Sequence, residues 1–332
     1  MHQIRITAIA ALLALGCLGP PRAEPVWVEI PADSPVAEVA EVLAERGIVA
    51  SAAEFERVAR IGNRHRSIKP GIYPLRPSMH VGQVLALLRR GRRPAAKVVV
   101  GERMTLVEVA AEVERALGIE AHVFLAATRD STLRARVGAR GESVEGYLYP
   151  TTYYVDLKAK PLAVLRQMVD TFATRWNPLW GSQLRALGIS RDEAVTLASI
   201  IAGEMPHPED LSRVAAVYHN RLMLGMRLQA DPTVIYALGE RRRLTYRDYR
   251  VASEYNTYTI RGLPPGPIGQ ASATSLEAAL YPVDHDYLFF VGRWDGRHEF
   301  SRTYREHLRT IARVRGRTRS SSQNVGSAEG TP

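Results

Sequence analysis

Four stretches of the chain carry side chains that could do chemistry. The most suggestive ends at Glu204. Residues 194–201 read Ala-Val-Thr-Leu-Ala-Ser-Ile-Ile, apolar nearly all round, which predicts a helix buried on every face. That helix runs into Ala202-Gly203-Glu204-Met205, and Pro206 forbids much continuation. An ionisable group is thereby placed at the C-terminal end of a buried helix. Desolvation and the negative end of the helix dipole both oppose its charged form. A carboxyl that stays protonated near neutral pH is what general acid catalysis requires. The plainer alternative is a solvated glutamate on a helix end, which spacing alone favours.

The other three stretches suit a polar ligand. In Glu145-Gly146-Tyr147-Leu148-Tyr149-Pro150-Thr151-Thr152-Tyr153, alternating tyrosines stand next to a carboxylate. Aromatic faces stack on sugar rings, and hydroxyls and Glu145 can bond their edges. A strand with aromatic core packing would read the same way. A helix from about Glu209 to Gly225 carries Asn220-Arg221 near its end. It leads into Gln229 and Asp231, two apart on an irregular stretch, where turn chemistry is the alternative. Finally, Asn256, Thr257 and Tyr258 precede the run from Gly262 to Ile268, rich in Pro and Gly, which fixes a rigid loop. Other chemistry finds little support. There is no phosphate-cradling Gly-rich signature and no HExxH pair. The single cysteine, Cys17, excludes an intramolecular disulfide and a cysteine zinc site.

The elements that must position these groups form an α+β pattern. Residues 1–25 read as a signal or anchor segment. Arg5 precedes an apolar stretch from Ile6 to Leu18, roughly 20 Å of helix against roughly 30 Å of hydrocarbon. A lipidated Cys17, cleavage near Ala23 and a retained anchor are all open. Each places the body outside the cytoplasm and removes nucleic acid as a partner. Residues 26–94 give a strand around Val26–Ile30, a helix capped by Ser34 with Pro35 at its first position, a helix over Ala52–Ile61, a strand at Gly71–Leu75 and a further helix to Arg90. Strand, helix, helix, strand is the order of a small LysM-like module. Residues 95–139 read as a connecting βα segment, 140–312 as a larger mixed α/β domain, and 313–332 as a disordered tail. With 332 residues, 46% hydrophobic and 23% charged, the chain is neither wholly disordered nor a polytopic membrane protein. The formal charge of +10 suggests an anionic surface as a partner, although only four of the 44 basic residues are lysine.

Taken together and in this order, the stretches resemble the endolytic murein transglycosylase family, the YceG-like proteins. The matching runs are EGYLYPTTY at 145–153, LASII with Glu204 at 197–204, and the run from Asn220 to Glu240 that contains DPTVIYALGE. YNTYTI and GLPPGPI follow at 255–268, then AALYPVDHDYLFFV at 278–291. The resemblance covers about residues 26–312. It implies cleavage inside peptidoglycan strands between N-acetylmuramic acid and N-acetylglucosamine, with a 1,6-anhydro end and no water consumed. It implies Glu204 as the catalytic residue, with Ala202 standing where the family carries a first motif glutamate. Glu145, Tyr147, Tyr149, Asn220, Gln229, Asp231, Asn256, Thr257 and Tyr258 are then expected at the substrate. The implied partners are glycan strands, peptidoglycan synthases and an anionic membrane surface. The implied place is the periplasmic side of the inner membrane, with no metal or cofactor. A hydrolytic muramidase and a non-catalytic murein-binding scaffold are the alternatives.

Overall fold

The computed structural model describes residues 26–325 except 92–94, Pro206 and Trp294, with side chains to Val314. The export segment expected over 1–25, including Cys17, and the end of the tail lie outside the described residues. No helix among the described residues is long and apolar enough to cross a membrane. The chain divides into two compact units at Ala95/Ala96.

The first unit holds β1 (Val26–Ile30), α1 (Val36–Glu45), α2 (Ala52–Arg60), a 3-10 turn, β2 (Gly71–Leu75) and α3 (Val81–Arg90). The strands pair antiparallel, with Val28 opposite Tyr73. Their alternating apolar residues meet the helix stripes in one core of Val28, Ile30, Val39, Leu43, Phe55, Leu75 and Leu88. The order of elements follows the sequence pattern. Ser34 does not cap α1, whose N-cap is Pro35 with no side-chain bond. Ser51 caps α2 instead, accepting from the Glu54 amide at 3.3 Å.

The second unit begins with β3 (Ala95–Val100), α4 (Leu106–Leu117), α5 (Ala121–Ala127) and α6 (Ser131–Val137). Next come β4 (Thr151–Asp156), α7 (Pro161–Arg175), α8 (Trp180–Leu187), α9 (Arg191–Gly203) and α10 (Leu211–Met223). It closes with α11 (Asp231–Leu238), α12 (Ala273–Leu280), β5 (Phe289–Gly292), β6 (His298–Ser301) and α13 (Tyr304–Val325). β3 pairs with β4 and β5 with β6, so the sheets are two-stranded and helices supply most of the mass. The segment expected as a connector over 95–139 is part of this unit. Val98, Val109, Phe124 and Leu133 share one core with Leu148, Phe172, Ile200 and Leu280. The expected disordered tail differs as well, because α13 continues past Arg313 to Val325.

α9 is the axis of this unit. A capping box starts it, with Ser190 and Glu193 satisfying each other's amides. From Ala194 to Ala202 every residue is buried. Each large apolar side chain there is worth about 1.5–3 kcal/mol relative to exposure. Even its serine serves packing. The Ser199 hydroxyl donates to the Thr196 carbonyl at 2.7 Å and accepts from the Ile268 amide at 3.0 Å. The Pro/Gly-rich loop is thereby tied to the helix.

Candidate active site

α9 ends as its pattern requires. Glu204 occupies the C-cap, and Met205 turns the chain away at φ +51°. A left-handed methionine costs on the order of 1 kcal/mol, a cost that recurs at functional sites. The Glu204 amide is spent on the Ile200 and Ile201 carbonyls, so only its side chain is free to act. That carboxyl accepts a hydrogen bond from the Tyr218 hydroxyl at 2.6 Å. Tyr218 lies in the buried stripe of α10 beside Val214 and Val217, and Phe290 meets its ring edge-on at 5.7 Å.

Burial is the main reason the Glu204 pKa is raised to about 7. The Tyr218 hydrogen bond opposes this, the negative charge of Asp231 adds to it, and Arg221 opposes it. The residue remains partly accessible while its carboxyl is crowded by protein. A half-protonated acid at neutral pH with one tyrosine partner can donate a proton and take one back.

Asp231 reaches this site because α11 starts there, with Pro232 suited to a helix's first turn. Tyr258 donates to one Asp231 oxygen at 2.6 Å and Tyr249 to the other at 3.4 Å. α9 and α11 touch at Gly203. A Cβ built there would lie 2.5 Å from Cβ of Pro232, so only glycine allows the approach.

Of the residues expected at the substrate, the structure brings Glu204, Asp231 and Tyr258 together. Asn256 and Thr257, both 0% exposed, are scaffold instead of cleft wall. The Asn256 amide donates to the carbonyls of Tyr249 and Val251 and accepts from the Tyr258 amide. The Thr257 hydroxyl accepts from the Ala230 amide at 3.0 Å and pairs with the Thr233 hydroxyl at 2.8 Å. The two residues set the positions of Tyr258 and Asp231 respectively. Gln229 is exposed with φ +50°. Asn220 ties α10 to the carbonyls of His285 and Tyr287, so its amide is spent inside the fold.

The tyrosines of the first stretch depart from the alternating wall. The strand starts only at Thr151, because the chain turns at Gly146, where a Cβ would lie 2.4 Å from Cβ of Pro267. Tyr147 is 0% exposed, donates to Asp192 at 2.7 Å and meets Phe172 edge-on. Its expected contact with substrate is therefore replaced by a core role. Tyr149 is half-buried beneath the Arg175 guanidinium, 5.8 Å from its ring centre.

Glu145 stands in a different place. A cavity of about 500 Å³ is lined by Glu145, Ser199, Gly203, Pro232, Tyr236 and Ile268, with Arg103, Glu108 and Arg241 among its further walls. The cavity is lined by the residue before Glu204 and the residue after Asp231, while neither of those two carboxyl-bearing residues is part of its wall. Within it, Glu145 accepts from the Leu106 amide at 3.0 Å, from the Gln270 side chain at 2.8 Å and weakly from Tyr236 at 3.4 Å. Burial raises its pKa to about 7 despite these bonds.

Tyr218, Tyr249, Tyr236 and Gln270 are not among the residues that the sequence singles out. Their signal in the sequence is a polar tip inside an apolar pattern, which must find a partner when buried. Ala202, where a first motif glutamate is expected, is only 5% exposed in the packed end of α9. Among the described residues, no group of three metal-ligating side chains comes together.

Comparison with known proteins identifies the family. Residues 28–313 match the model of the YceG-like family. A protein of Bacillus subtilis (strain 168) named endolytic murein transglycosylase is 29% identical over 299 residues, 85% of this chain and 82% of its own length. One of the same name from Streptococcus pneumoniae serotype 2 is 27% identical over 86% of this chain, which spans 58% of that longer relative. A crystal structure of a YceG-like protein from Listeria monocytogenes matches with a TM-score of 0.60 at 32% identity, covering 87% of this chain and 100% of that one. The chain belongs to the YceG-like family.

Proposed function

We propose that this protein is an endolytic lytic transglycosylase of peptidoglycan. It cuts between N-acetylmuramic acid and N-acetylglucosamine within glycan strands and leaves 1,6-anhydro ends. The observation that carries the reading is the Glu204 carboxyl at the end of α9. It is crowded by protein, bonded to one tyrosine and raised to about 7. The names of the relatives support the same substrate.

In this reading the cavity beside Gly203 and Pro232 holds a sugar unit next to the cut. Protonated Glu204 gives its proton to the glycosidic oxygen, and the bond from that oxygen to C1 breaks. The substrate's own acetamido group bears the developing positive charge, as in substrate-assisted glycosidases. The C6 hydroxyl then adds to C1 while the Glu204 carboxylate takes its proton. Protons balance, no water enters, and Glu204 returns to its starting state. Such positioned proton transfer is worth about 10²–10⁴-fold.

The body works outside the cytoplasm, beside the synthases whose nascent strands it terminates, and its formal charge of +10 suits an anionic membrane surface. The LysM-like order of β1, α1, α2 and β2 suits a murein-holding module. The test is the mass of fragments released from purified sacculi. Wild type is expected to give anhydro ends, one water lighter than hydrolytic ends, and Glu204→Gln none. Cleavage by Glu204→Gln would overturn the reading, and reducing ends from wild type would make the enzyme a muramidase.

A further inference from the structure

Asp231 has no part in the proton transfers just described, yet the fold goes to some length to place it. Two tyrosine hydroxyls, Tyr258 at 2.6 Å and Tyr249 at 3.4 Å, hold its two oxygens apart and fix their direction. The Ala230 amide just before it is pinned to the Thr257 hydroxyl, a fully buried anchor. The glycine before Glu204 lies against the proline after Asp231, at a spacing that no side chain at 203 would permit. The two carboxyl-bearing residues are therefore placed where the end of α9 meets the start of α11, each of them half-buried.

We propose that Asp231 is the positioning carboxylate of this site, whose fixed negative charge keeps the acid proton on Glu204 until a glycan strand is bound. The inference rests on the reading of Glu204 as the acid. A negative charge beside a half-buried carboxyl opposes its ionisation, and Asp231 acts in that direction on Glu204. The negative charge of Asp231 adds to burial in raising Glu204, so the proton is held there. Glu204 faces Tyr218 and Arg221 from α10, Asp231 from α11 and Tyr258 from the loop after the 3-10 turn at Asp248–Arg250. Arg221, the cation of this set, draws Glu204 the other way while its guanidinium bonds the Leu228 and Leu288 carbonyls. Asp231 offsets Arg221. Once Glu204 has given up its proton, the same negative charge makes its carboxylate a stronger base toward the C6 hydroxyl.

The experiment follows Glu204 directly as well as the reaction. Carbon-13 signals of labelled glutamate side chains are titrated in wild type, Asp231→Asn and Asp231→Glu, with Glu204→Gln identifying the signal. Strand cleavage is measured over the same pH range. In Asp231→Asn the Glu204 titration and the alkaline loss of activity are both expected to move down by about one pH unit or more. Asp231→Glu, which keeps the charge, is expected to leave both near their wild-type positions even where the rate falls. A Glu204 titration unchanged in Asp231→Asn overturns the proposal, as does a rate lowered by one factor at every pH, since either outcome makes Asp231 a structural or substrate contact. The carbon-13 titration needs no turnover. If Glu204→Gln still cuts strands, the reading of Glu204 as the acid fails, while the effect of Asp231 on its protonation is still decided.

Discussion

The second unit holds two buried glutamates, Glu145 and Glu204, each raised to about 7 mainly by burial. Glu145 lines the cavity, whereas Glu204 caps the end of α9 one residue beyond Gly203, which lines it. What separates them is how their oxygens are occupied. Glu145 is bound by the Leu106 amide, the Gln270 side chain and, loosely, Tyr236. It joins the start of α4, the turn at Gly146 and the end of the Gly/Pro-rich loop. Glu204 has the Tyr218 hydroxyl alone, and its second oxygen has no hydrogen-bond donor among the described residues. A shifted pKa therefore marks both residues as costly to ionise. A carboxyl with bonding capacity left over marks only Glu204 as able to exchange a proton with a substrate.

The largest effect that would break this comparison concerns activity. Glu204→Gln is expected to lower strand cleavage by about 10²–10⁴-fold or more, whereas Glu145→Gln is expected to stay within about tenfold of wild type at pH 6. Comparable losses in both variants, measured on the same sacculi, would show that the two carboxyls share the chemistry. Gly203→Ala comes next. Its methyl group would lie within 3 Å of two Pro232 carbons, so α9 and α11 must separate. Overpacking of this kind costs about 1–3 kcal/mol, visible as a lower thermal midpoint. Activity is expected to fall further than stability accounts for, because the Glu204 and Asp231 spacing is lost. A variant with full activity would detach that contact from function.

The sequence announced one of these glutamates more clearly than the other. The run from Ala194 to Ile201 has no polar face, so a buried helix with a carboxyl at its end was legible from period alone. The capping pair Ser190 and Glu193 marks its start equally well. Glu145 was legible only as a carboxylate near tyrosines. The alternation of Tyr147 and Tyr149 pointed to a strand, but the turn at Gly146 is set by a contact with Pro267, over a hundred residues away. Asn256 and Thr257 misled for a similar reason. Polar side chains in a loop look available to a ligand, and only the fold shows them bonding backbone inside it. Tyr218 was concealed by its own stripe, since a tyrosine in an apolar row reads as core until its hydroxyl finds a partner.

The pH dependence of stability sharpens the comparison at intermediate size. Glu145 holds its proton to about pH 7 when folded and to about 4.5 when unfolded. Between those values the native state binds the extra proton, so stability falls as pH rises, by about 3 kcal/mol for this one group, and levels off above pH 7. Glu145→Gln cannot ionise, and its amide oxygen can still accept from Leu106 or Gln270. The variant is expected to lie within about 1 kcal/mol of wild type at pH 4.5 and to gain on it steadily up to pH 7. Denaturant midpoints at four or five pH values would show it. A constant difference between the two proteins would mean that Glu145 is charged throughout.

The smallest effect tests the hydroxyls. Tyr218→Phe removes a 2.6 Å bond to Glu204, and Tyr236→Phe a 3.4 Å bond to Glu145. Bond strength falls steeply over that range. Tyr236→Phe is therefore expected to change stability by less than about 0.5 kcal/mol and cleavage hardly at all. Tyr218→Phe leaves a buried carboxyl without its donor, at about 1–3 kcal/mol. Because that bond favours the charged form, its loss is expected to move the alkaline fall in activity to higher pH, opposite in direction to Asp231→Asn. The two shifts together decide whether Glu204 is governed by the groups that surround it or by the helix end alone. If Tyr218→Phe and Asp231→Asn leave the fall where wild type has it, burial at the end of α9 is the whole cause, and Glu204 and Glu145 differ only in which of them faces the strand.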